Sequence, residues 1–342
     1  MVVGLFSTFK LTIRHFSSIQ KNNYQFSSFS GPNMQKPFQG FRTFLKAPIE
    51  DETRPITVLG IPFDCATSNR PGARFGPAAI REASLMLTDG EHPIHGINPC
   101  NFVTDIGDIP VSNTDTTKSL IQIESFLSSN KFTNDKNRQL ITMGGDHTIT
   151  LAILRHLRTL HGEPLGVIHF DAHCDTWDDH FGDPLGHGTW VKNAIEEGLV
   201  ETNAFTSIGI RSAADRDARD YLYQHGGRTI SPETFYGHYT PRSLIDYLEP
   251  FYKNRLTYIS FDIDCLDPAH APGTGTPEMG GMSSLDIKMI FNSMARSSFN
   301  FVGMDVVEVS PPYDHAQLTS LAAATLAWTY AAMVSPLDSD TK

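Results

Sequence analysis

The chain has few cysteines, no long apolar run and no block of basic residues, and each absence excludes a class of protein. Its 4 cysteines among 342 residues are scattered without a CxxC pair, which argues against a disulfide scaffold and against a thiolate zinc site. No apolar run approaches the roughly 20 residues that a membrane-spanning helix needs. The net charge of −11, without any Lys/Arg cluster, disfavours nucleic acid and mildly favours a cationic partner.

The first 49 residues contain no acidic side chain. Glu50 is the first acid, whereas the preceding stretch carries six basic residues and is rich in Ser and Phe. A basic, Ser-rich and acid-poor composition is typical of a mitochondrial transit peptide, and Arg14-His15-Phe16-Ser17 resembles a processing site that is cut after Phe16. We therefore predict an N-terminal extension over residues 1–49 and a mitochondrial location. The alternative is an extension that stays attached to a cytoplasmic protein.

From residue 50 onward, short apolar segments alternate with helical patterns. The apolar segments have the β-branched and aromatic content of buried strands, and they cover residues 55–63, 101–106, 139–143, 165–170, 204–210, 256–261 and 301–307. The helical patterns cover residues 77–87, 117–127, 149–160, 189–197, 241–248, 284–295 and 315–332. This alternation predicts an α/β fold whose mostly parallel sheet has helices on both faces. We predict one domain over residues 50–336 and a short tail at 337–342.

Three acidic clusters, two of which contain histidine, directly follow apolar runs. They are Gly144-Gly145-Asp146-His147, Asp171-Ala172-His173-Cys174-Asp175 and Asp262-Ile263-Asp264. The carboxyl ends of parallel strands lie at one edge of a sheet, where ligands bind. An isolated Asp-x-Asp is often a capped loop, and a lone His is often a core residue. Burying so many carboxylates together, however, costs too much free energy unless cations neutralise them, so the three clusters together predict a metal site.

The residue types in these clusters indicate the kind of metal chemistry. Side chains alternate along an extended chain, so we expect the Asp and His side chains to point one way and the Ala, Ile and Cys side chains to point into packing. Carboxylate and imidazole donors without thiolate favour Mn²⁺ over Fe²⁺, Co²⁺ and Ni²⁺. Two such ions about 3.5–4 Å apart generate hydroxide from water at neutral pH. The clusters therefore predict a two-metal hydrolase.

Taken in order, the motifs resemble those of the arginase/agmatinase (ureohydrolase) family. They are GGDHT at 144–148, DAHCDTW at 171–177, HGT at 187–189, SFDIDCLDPAHAPGTGTPEMGG at 260–281 and GMDVVEVSPPYD at 303–314. RPGARFGPAAIR at 70–81 matches the agmatinase branch. The resemblance implies a three-layer α/β/α arginase-like fold, a binuclear site with two Mn²⁺ per chain, and a homo-oligomer (trimer or hexamer).

The resemblance also implies which residues bind the two ions. One ion would be bound by His147 and Asp175, the other by His173 and Asp264, and both would be bridged by Asp171 and Asp262. The reaction would be attack of hydroxide on a guanidinium carbon, which releases urea and an amine.

Further roles follow from the same resemblance. Glu308 would hold the guanidinium through paired charge-assisted hydrogen bonds. Asp175 would pass a proton to the leaving amine, and His187 would carry protons to bulk water. Asp146 would orient a metal ligand.

The loop over residues 176–190 is expected to meet the tail of the substrate. It carries Asp178, Asp179 and Asp183 but no Lys or Arg. These charges favour a tail that ends in an amine, as in agmatine, which would give putrescine and urea. A carboxylate tail, as in guanidinobutyrate or guanidinopropionate, would need a cation in the loop. Trp177 either shortens the pocket or only anchors packing, and free guanidine stays a candidate.

Two alternatives belong to other functional classes. The first is a non-catalytic relative that binds a protein of the polyamine pathway, which the intact set of metal ligands disfavours. The second is a deacetylase on a related fold, whose chemistry needs one zinc and leaves the second ligand set unexplained.

Overall fold

The computed structural model describes residues 39–88 and 90–336. Its sheet consists of β1 (Ile56–Gly60), β2 (Val103–Asp108), β3 (Gln139–Met143), β4 (Leu165–Phe170), β5 (Val200–Ile208), β6 (Arg228–Ile230), β7 (Leu256–Asp262) and β8 (Asn300–Val307). The strand order is β2-β1-β3-β8-β7-β4-β5-β6, and every pair is parallel. The predicted α/β fold is confirmed. The prediction missed β6, which at three residues is too short to show a pattern.

Helices connect the strands. They are α1 (Gly76–Ser84), α2 (Thr116–Ser129), α3 (Ile149–His161), α4 (Trp190–Glu196), α5 (Arg216–Gln224), α6 (Pro232–His238), α7 (Pro241–Tyr252), α8 (Ser284–Met294) and α9 (Leu318–Val334). Helices α5 and α6 were not predicted, since α5 buries only Ala218 and Leu222 and α6 is two turns long. Among the helices that the structure describes, none combines the length and apolar character needed to cross a bilayer.

Hydrogen-bonding side chains fix where several helices begin. The side chains of Asp115, Ser231, Thr240 and Ser283 each accept a hydrogen bond from the backbone N–H three residues further on. These contacts satisfy N–H groups that the first helical turn leaves without a partner.

Alternate residues of the strands enter different hydrophobic cores. In β1, Ile56 and Val58 belong to one cluster, whereas Leu59 belongs to another. In β4, Ile168 likewise belongs to the first cluster and Val167 to the second. Helices α1, α9, α8 and α7 pack side by side in that order, and so do α2, α3 and α4. The sheet is therefore the middle layer of three, with both faces buried as parallel sheets require.

Part of the predicted extension packs tightly on this domain. Phe44 and Leu45 are buried. The backbone N–H of Phe44 donates to Asp105 at 2.7 Å, and that of Leu45 donates to Ser84 Oγ at 2.8 Å. Residues 1–38, which include the predicted cleavage site at Phe16, and the tail at 337–342 lie outside the described residues, so those predictions stay predictions.

Truncating Phe44 tests the contribution of this segment to stability. Phe44→Ala should lower the free energy of unfolding by about 3 kcal/mol, because it leaves a cavity in a closed apolar site. Phe41→Ala is the matched control, since the Phe41 side chain is 86% exposed. Denaturant unfolding measures both variants, and equal effects would contradict the assignment of residues 44–47 to the domain.

Candidate metal centre

Four neighbouring strands carry the predicted site residues to one edge of the sheet. Strand β3 ends one residue before Gly144, β4 ends one residue before Asp171, β7 ends at Asp262, and β8 ends one residue before Glu308. The sheet order places these strands side by side as β3-β8-β7-β4. Gly145 permits close approach of the chain here, since a Cβ on it would lie 1.6 Å from the carbonyl oxygen of Phe63.

The first donor group surrounds His147. Its Nδ1 lies 3.1 Å from Asp171 Oδ2, 3.1 Å from Asp175 Oδ2 and 3.3 Å from Asp262 Oδ2. All four side chains are buried. The Nδ1 atom makes no hydrogen bond to any residue that the structure describes. A buried nitrogen that faces three carboxylate oxygens is stable only if a proton or a metal cation lies between them.

The second donor group surrounds His173. Its Nδ1 lies 3.1 Å from Asp264 Oδ2 and 3.3 Å from Asp171 Oδ1. The two oxygens of Asp171 thus face different histidines, which is the arrangement of a carboxylate shared by two ions. Each of the two carboxylates also accepts a backbone hydrogen bond at Oδ1, Asp171 from the His173 N–H at 2.6 Å and Asp262 from the Asp264 N–H at 2.8 Å. Asp262 differs in that, among the described histidines, it lies close to His147 alone, through Oδ2.

The six predicted ligand residues therefore lie together, but not for the predicted reason. Strand β4 ends at Phe170, and residues 263–265 form a single 3-10 turn. Asp175 has a left-handed backbone with φ 53°. Strand alternation does not apply to these residues, so that interpretation was wrong. Tight turns aim the side chains, and such strained backbone is common at functional sites.

The charges of this cluster match divalent cations. Burial raises the pKa of Asp262, and the charges of Asp264 and Asp171 raise it further. Burial lowers the pKa of His147 and of His173, but the neighbouring carboxylates outweigh it and hold both values well above the usual one. Without metal, these side chains therefore hold protons. Metal ions displace such protons when they bind. The donors present fit a pair of hard divalent ions.

His169 is a site residue that the sequence interpretation missed. Its Nε2 lies 2.8 Å from Asp171 Oδ2, and its Nδ1 lies 3.0 Å from Ser207 Oγ. Donor atoms of His169, His147, Asp171 and Asp175 are close enough together to hold one cation. Because both ring nitrogens of His169 are engaged, we interpret it as a residue that orients Asp171. The available signal was its position in strand β4, two residues before Asp171.

Glu308 and His187 form a buried pair beside the donor groups. Oε1 of Glu308 accepts from the backbone N–H of His147 at 3.0 Å and lies 2.9 Å from His187 Nδ1. Oε2 of Glu308 is buried without a hydrogen-bond partner among the described residues. The Nε2 of His187 lies 2.8 Å from Ser68 Oγ. Burial lowers the pKa of His187, but the charge and hydrogen bond of Glu308 raise it to about 9.

Asp146 does not join the donor groups. Its Oδ2 accepts from the backbone N–H of Ala66 at 3.0 Å, and its Oδ1 accepts from that of Thr148 at 3.1 Å. Burial and the charge of Glu308 raise its pKa to about 7. Its visible role is to connect the segment at Ala66 to the turn that carries His147.

Two cavities meet at His173 and Thr276. The inner cavity, of about 210 Å³, is lined by His173, Asp175, Asp262 and His187 together with Trp177 and His180. The outer cavity, of about 480 Å³, is lined by Asn69, Arg70, His173, Thr276, Pro277 and Glu278. The Gly/Pro-rich segment after Asp264 thus forms the rim of the pocket.

The acidic side chains of the loop at 176–190 do not line either cavity. Asp178 forms an ion pair with Lys192 of helix α4. Oδ1 of Asp179 accepts from the Gly182 N–H at 2.7 Å, and Oδ1 of Asp183 accepts from the Leu185 N–H at 2.9 Å. These carboxylates stabilise their own loop, so the charge argument for an amine tail loses its basis.

Comparison with known proteins agrees with this geometry. Residues 54–332 match the model of the arginase family. The chain is 40% identical to a guanidinopropionase of Pseudomonas aeruginosa, over 84% of this chain and 90% of the relative. It is 37% identical to a human mitochondrial guanidino acid hydrolase, with 84% and 81% covered.

A solved structure shares the same architecture. It is described as a hypothetical agmatinase from Burkholderia thailandensis, has a TM-score of 0.80 and is 35% identical, with 89% of this chain and 93% of that chain covered. Residues 54–332, which match the family model, include all four strand ends that carry the site. This chain belongs to the arginase family and is a ureohydrolase, an enzyme that acts on C–N bonds of guanidino-type compounds.

Proposed function

We propose that this enzyme uses two Mn²⁺ ions to hydrolyse a small guanidino compound to urea and an amine. The observation that carries the proposal is the orientation of Asp171, whose two oxygens face His147 and His173 separately. His147 and Asp175 would hold one ion and His173 and Asp264 the other. Asp262 is the second proposed bridging ligand, although its contact with a described histidine is to His147 alone.

The residues around the metal centre can perform the remaining steps. When bound, the two ions supply a hydroxide nucleophile and stabilise charge that develops at the guanidinium carbon. Oε2 of Glu308, which is buried without a hydrogen-bond partner among the described residues, would accept from a guanidinium N–H. Asp175, on the wall of the inner cavity, would protonate the leaving amine. His187 lines the same cavity and contacts Ser68, which supports a role in proton transfer toward solvent.

The agmatinase-branch motif at residues 70–81 still supports agmatine as the substrate. The surroundings of Arg70, however, favour a second class of substrate, one with a carboxylate tail. Arg70 lines the outer cavity and forms no ion pair with any described residue. Its Nε donates to the Gly275 carbonyl at 3.2 Å, and its guanidinium lies 4.5 Å from the Tyr313 ring centroid. Its other nitrogens could bind a substrate carboxylate. Relatives named for a guanidino acid and for agmatine both match this chain.

A urea-release assay of the Mn²⁺-loaded enzyme tests the proposed function. The assay compares agmatine, arginine, guanidinobutyrate, guanidinopropionate and guanidine. Release from at least one of them is the expected result. No release from any, with two ions bound, would contradict guanidino hydrolysis.

Substitution of Arg70 then separates the two classes of substrate. If the substrate has a carboxylate tail, Arg70→Met should raise its KM about tenfold or more, because a charge-assisted hydrogen bond is lost. The KM for agmatine should stay within about twofold. Arg216→Met is the control, since the Arg216 side chain is 86% exposed. An unchanged KM for every carboxylate-tailed compound would exclude Arg70 as their binding residue.

Location and assembly are further proposals. The composition of residues 1–49 and the mitochondrial name of the human relative support import into mitochondria. Fusing residues 1–49 to a fluorescent protein tests this, and a diffuse cytoplasmic signal would contradict it.

We also propose a homo-oligomer, a trimer or hexamer, which light scattering of the purified enzyme would measure.

A further inference from the structure

Asp305 is a buried carboxylate that lies outside the donor groups. It is on strand β8, is fully buried and forms no ion pair with a Lys or Arg of the described residues. Its Oδ1 accepts from Ser260 Oγ at 2.8 Å and from the Phe261 N–H at 3.2 Å. Its Oδ2 accepts from Thr150 Oγ1 at 2.8 Å and from the Tyr258 hydroxyl at 2.9 Å. All four hydrogen bonds are donated to the carboxylate oxygens, which is the environment of an ionised carboxylate.

Ser260 connects this carboxylate to the metal centre. A hydroxyl has a single proton, and Ser260 donates its own to Asp305. Ser260 Oγ can therefore only accept in its 2.8 Å contact with His147 Nε2. The neutral ring of His147 then carries its proton on Nε2. This leaves the Nδ1 lone pair for a metal ion on the side of Asp171, Asp175 and Asp262.

We propose that Asp305, acting through Ser260, is a positioning residue that fixes the tautomer and orientation of His147 for metal binding. The inference rests on the proposed two-metal function. Partners of this kind keep a ligand imidazole in place and increase its basicity, and their loss typically weakens metal binding about 10–100-fold. The effect should be confined to the ion on the side of His147, because the Ser260 hydroxyl makes no hydrogen bond to His173, Asp264 or His169 within the described part of the chain.

The structure also offers a test of a purely structural role. Asp305 joins strand β8 to β7 and to helix α3 through Tyr258 and Thr150, which bind its Oδ2. Tyr258→Phe removes one hydrogen bond from the same carboxylate without interrupting the connection to His147. A structural role for Asp305 predicts similar losses in Tyr258→Phe and Ser260→Ala. A positioning role predicts that only the latter changes metal affinity.

The experiment is calorimetric titration of the full, chelator-stripped chain with Mn²⁺ alone. Wild type should bind two ions. Ser260→Ala should weaken one of the two sites about 10–100-fold and leave the other within about twofold. Asp305→Asn retains an acceptor for Ser260 but loses the charge, so we expect a smaller loss in the same site. Tyr258→Phe should bind both ions as wild type does. Saturating Mn²⁺ should restore kcat of Ser260→Ala, with KM for the guanidino substrate unchanged.

Each outcome bears on a different claim. A wild-type chain that binds no Mn²⁺ would overturn the proposed function itself. If wild type binds two Mn²⁺ ions and both Ser260→Ala and Asp305→Asn bind them with the same affinities, only the positioning role is overturned. Equal weakening of both sites, or the same loss in Tyr258→Phe, would also overturn it. If Ser260→Ala does not fold, the Mn²⁺ affinity of Asp305→Asn tests the positioning role in its place. If neither variant folds while Tyr258→Phe does, the role of Asp305 and Ser260 is structural.

Discussion

Asp171→Asn should abolish binding of both metal ions and lower kcat for urea release by about 10³-fold or more, since the ions supply several kcal/mol of transition-state stabilisation. The side chain of Asp171 is the one whose two oxygens face His147 and His173 separately. An amide offers one neutral oxygen in place of two charged ones, so it neither bridges nor neutralises the ions. Elemental analysis of metal per chain and steady-state kinetics measure the two effects.

A control and a stability measurement separate this effect from misfolding. Asp183→Asn alters an exposed loop carboxylate that binds the Leu185 N–H, so it should retain both ions and full activity. Burial raises the pKa of Asp171, but hydrogen bonds with His147, His169 and His173 outweigh it and hold the value well below the usual one. In chelator-treated protein, Asp171→Asn should therefore lower the melting temperature, but the variant should still unfold in one cooperative transition. An Asp171→Asn enzyme that retains two ions and wild-type kcat would show that Asp171 is not shared between them.

Glu308→Gln should lower kcat/KM about 10²–10³-fold while both ions stay bound, since breaking a buried hydrogen-bonded charge pair costs about 2–5 kcal/mol. Oε1 of Glu308 is occupied by the His147 N–H and by His187, and this leaves Oε2 for the substrate. A glutamine amide at that position presents N–H donors to a guanidinium that has only donors. Kinetics and metal analysis of the same preparation measure the result.

Glu278→Gln is the matched control for Glu308. Glu278 lines the outer cavity, and its carboxylate accepts from Ser212 at 2.9 Å. This rim substitution should change kcat/KM by no more than about threefold, because partly exposed charges contribute little. Wild-type kcat/KM in Glu308→Gln, or loss of its metal ions, would contradict the assignment of Glu308 to guanidinium binding.

The sequence predicted the sheet because its strands are short apolar segments with strong periodicity, separated by long helices. It predicted the site because the clusters at His147, Asp171 and Asp262 each follow such a strand directly. It did not predict the adjacency of β8 and β7 to β3 and β4, which depends on crossover connections rather than on local pattern. Glu308 could be assigned a role only through the family resemblance.

Other errors arose where local sequence was interpreted without its partners. The aspartates of the loop at 176–190 indicated an acidic pocket, but Lys192 and backbone N–H groups bind them. Strand alternation was extended past Phe170, where the chain has already turned. The hydrogen bonds that join Asp305 to Ser260 and Ser260 to His147 were not predicted. Ser260 and Asp305 lie within the quoted motifs, but a motif does not show which side chains meet across neighbouring strands.

Stepwise reconstitution of chelator-treated enzyme with Mn²⁺, with bound metal and urea release measured on the same samples, tests the two-metal mechanism most directly. Our interpretation predicts negligible release without metal and a maximum at two bound ions per chain. Full urea release by protein that contains no metal would contradict it, and so would a maximum at one bound ion.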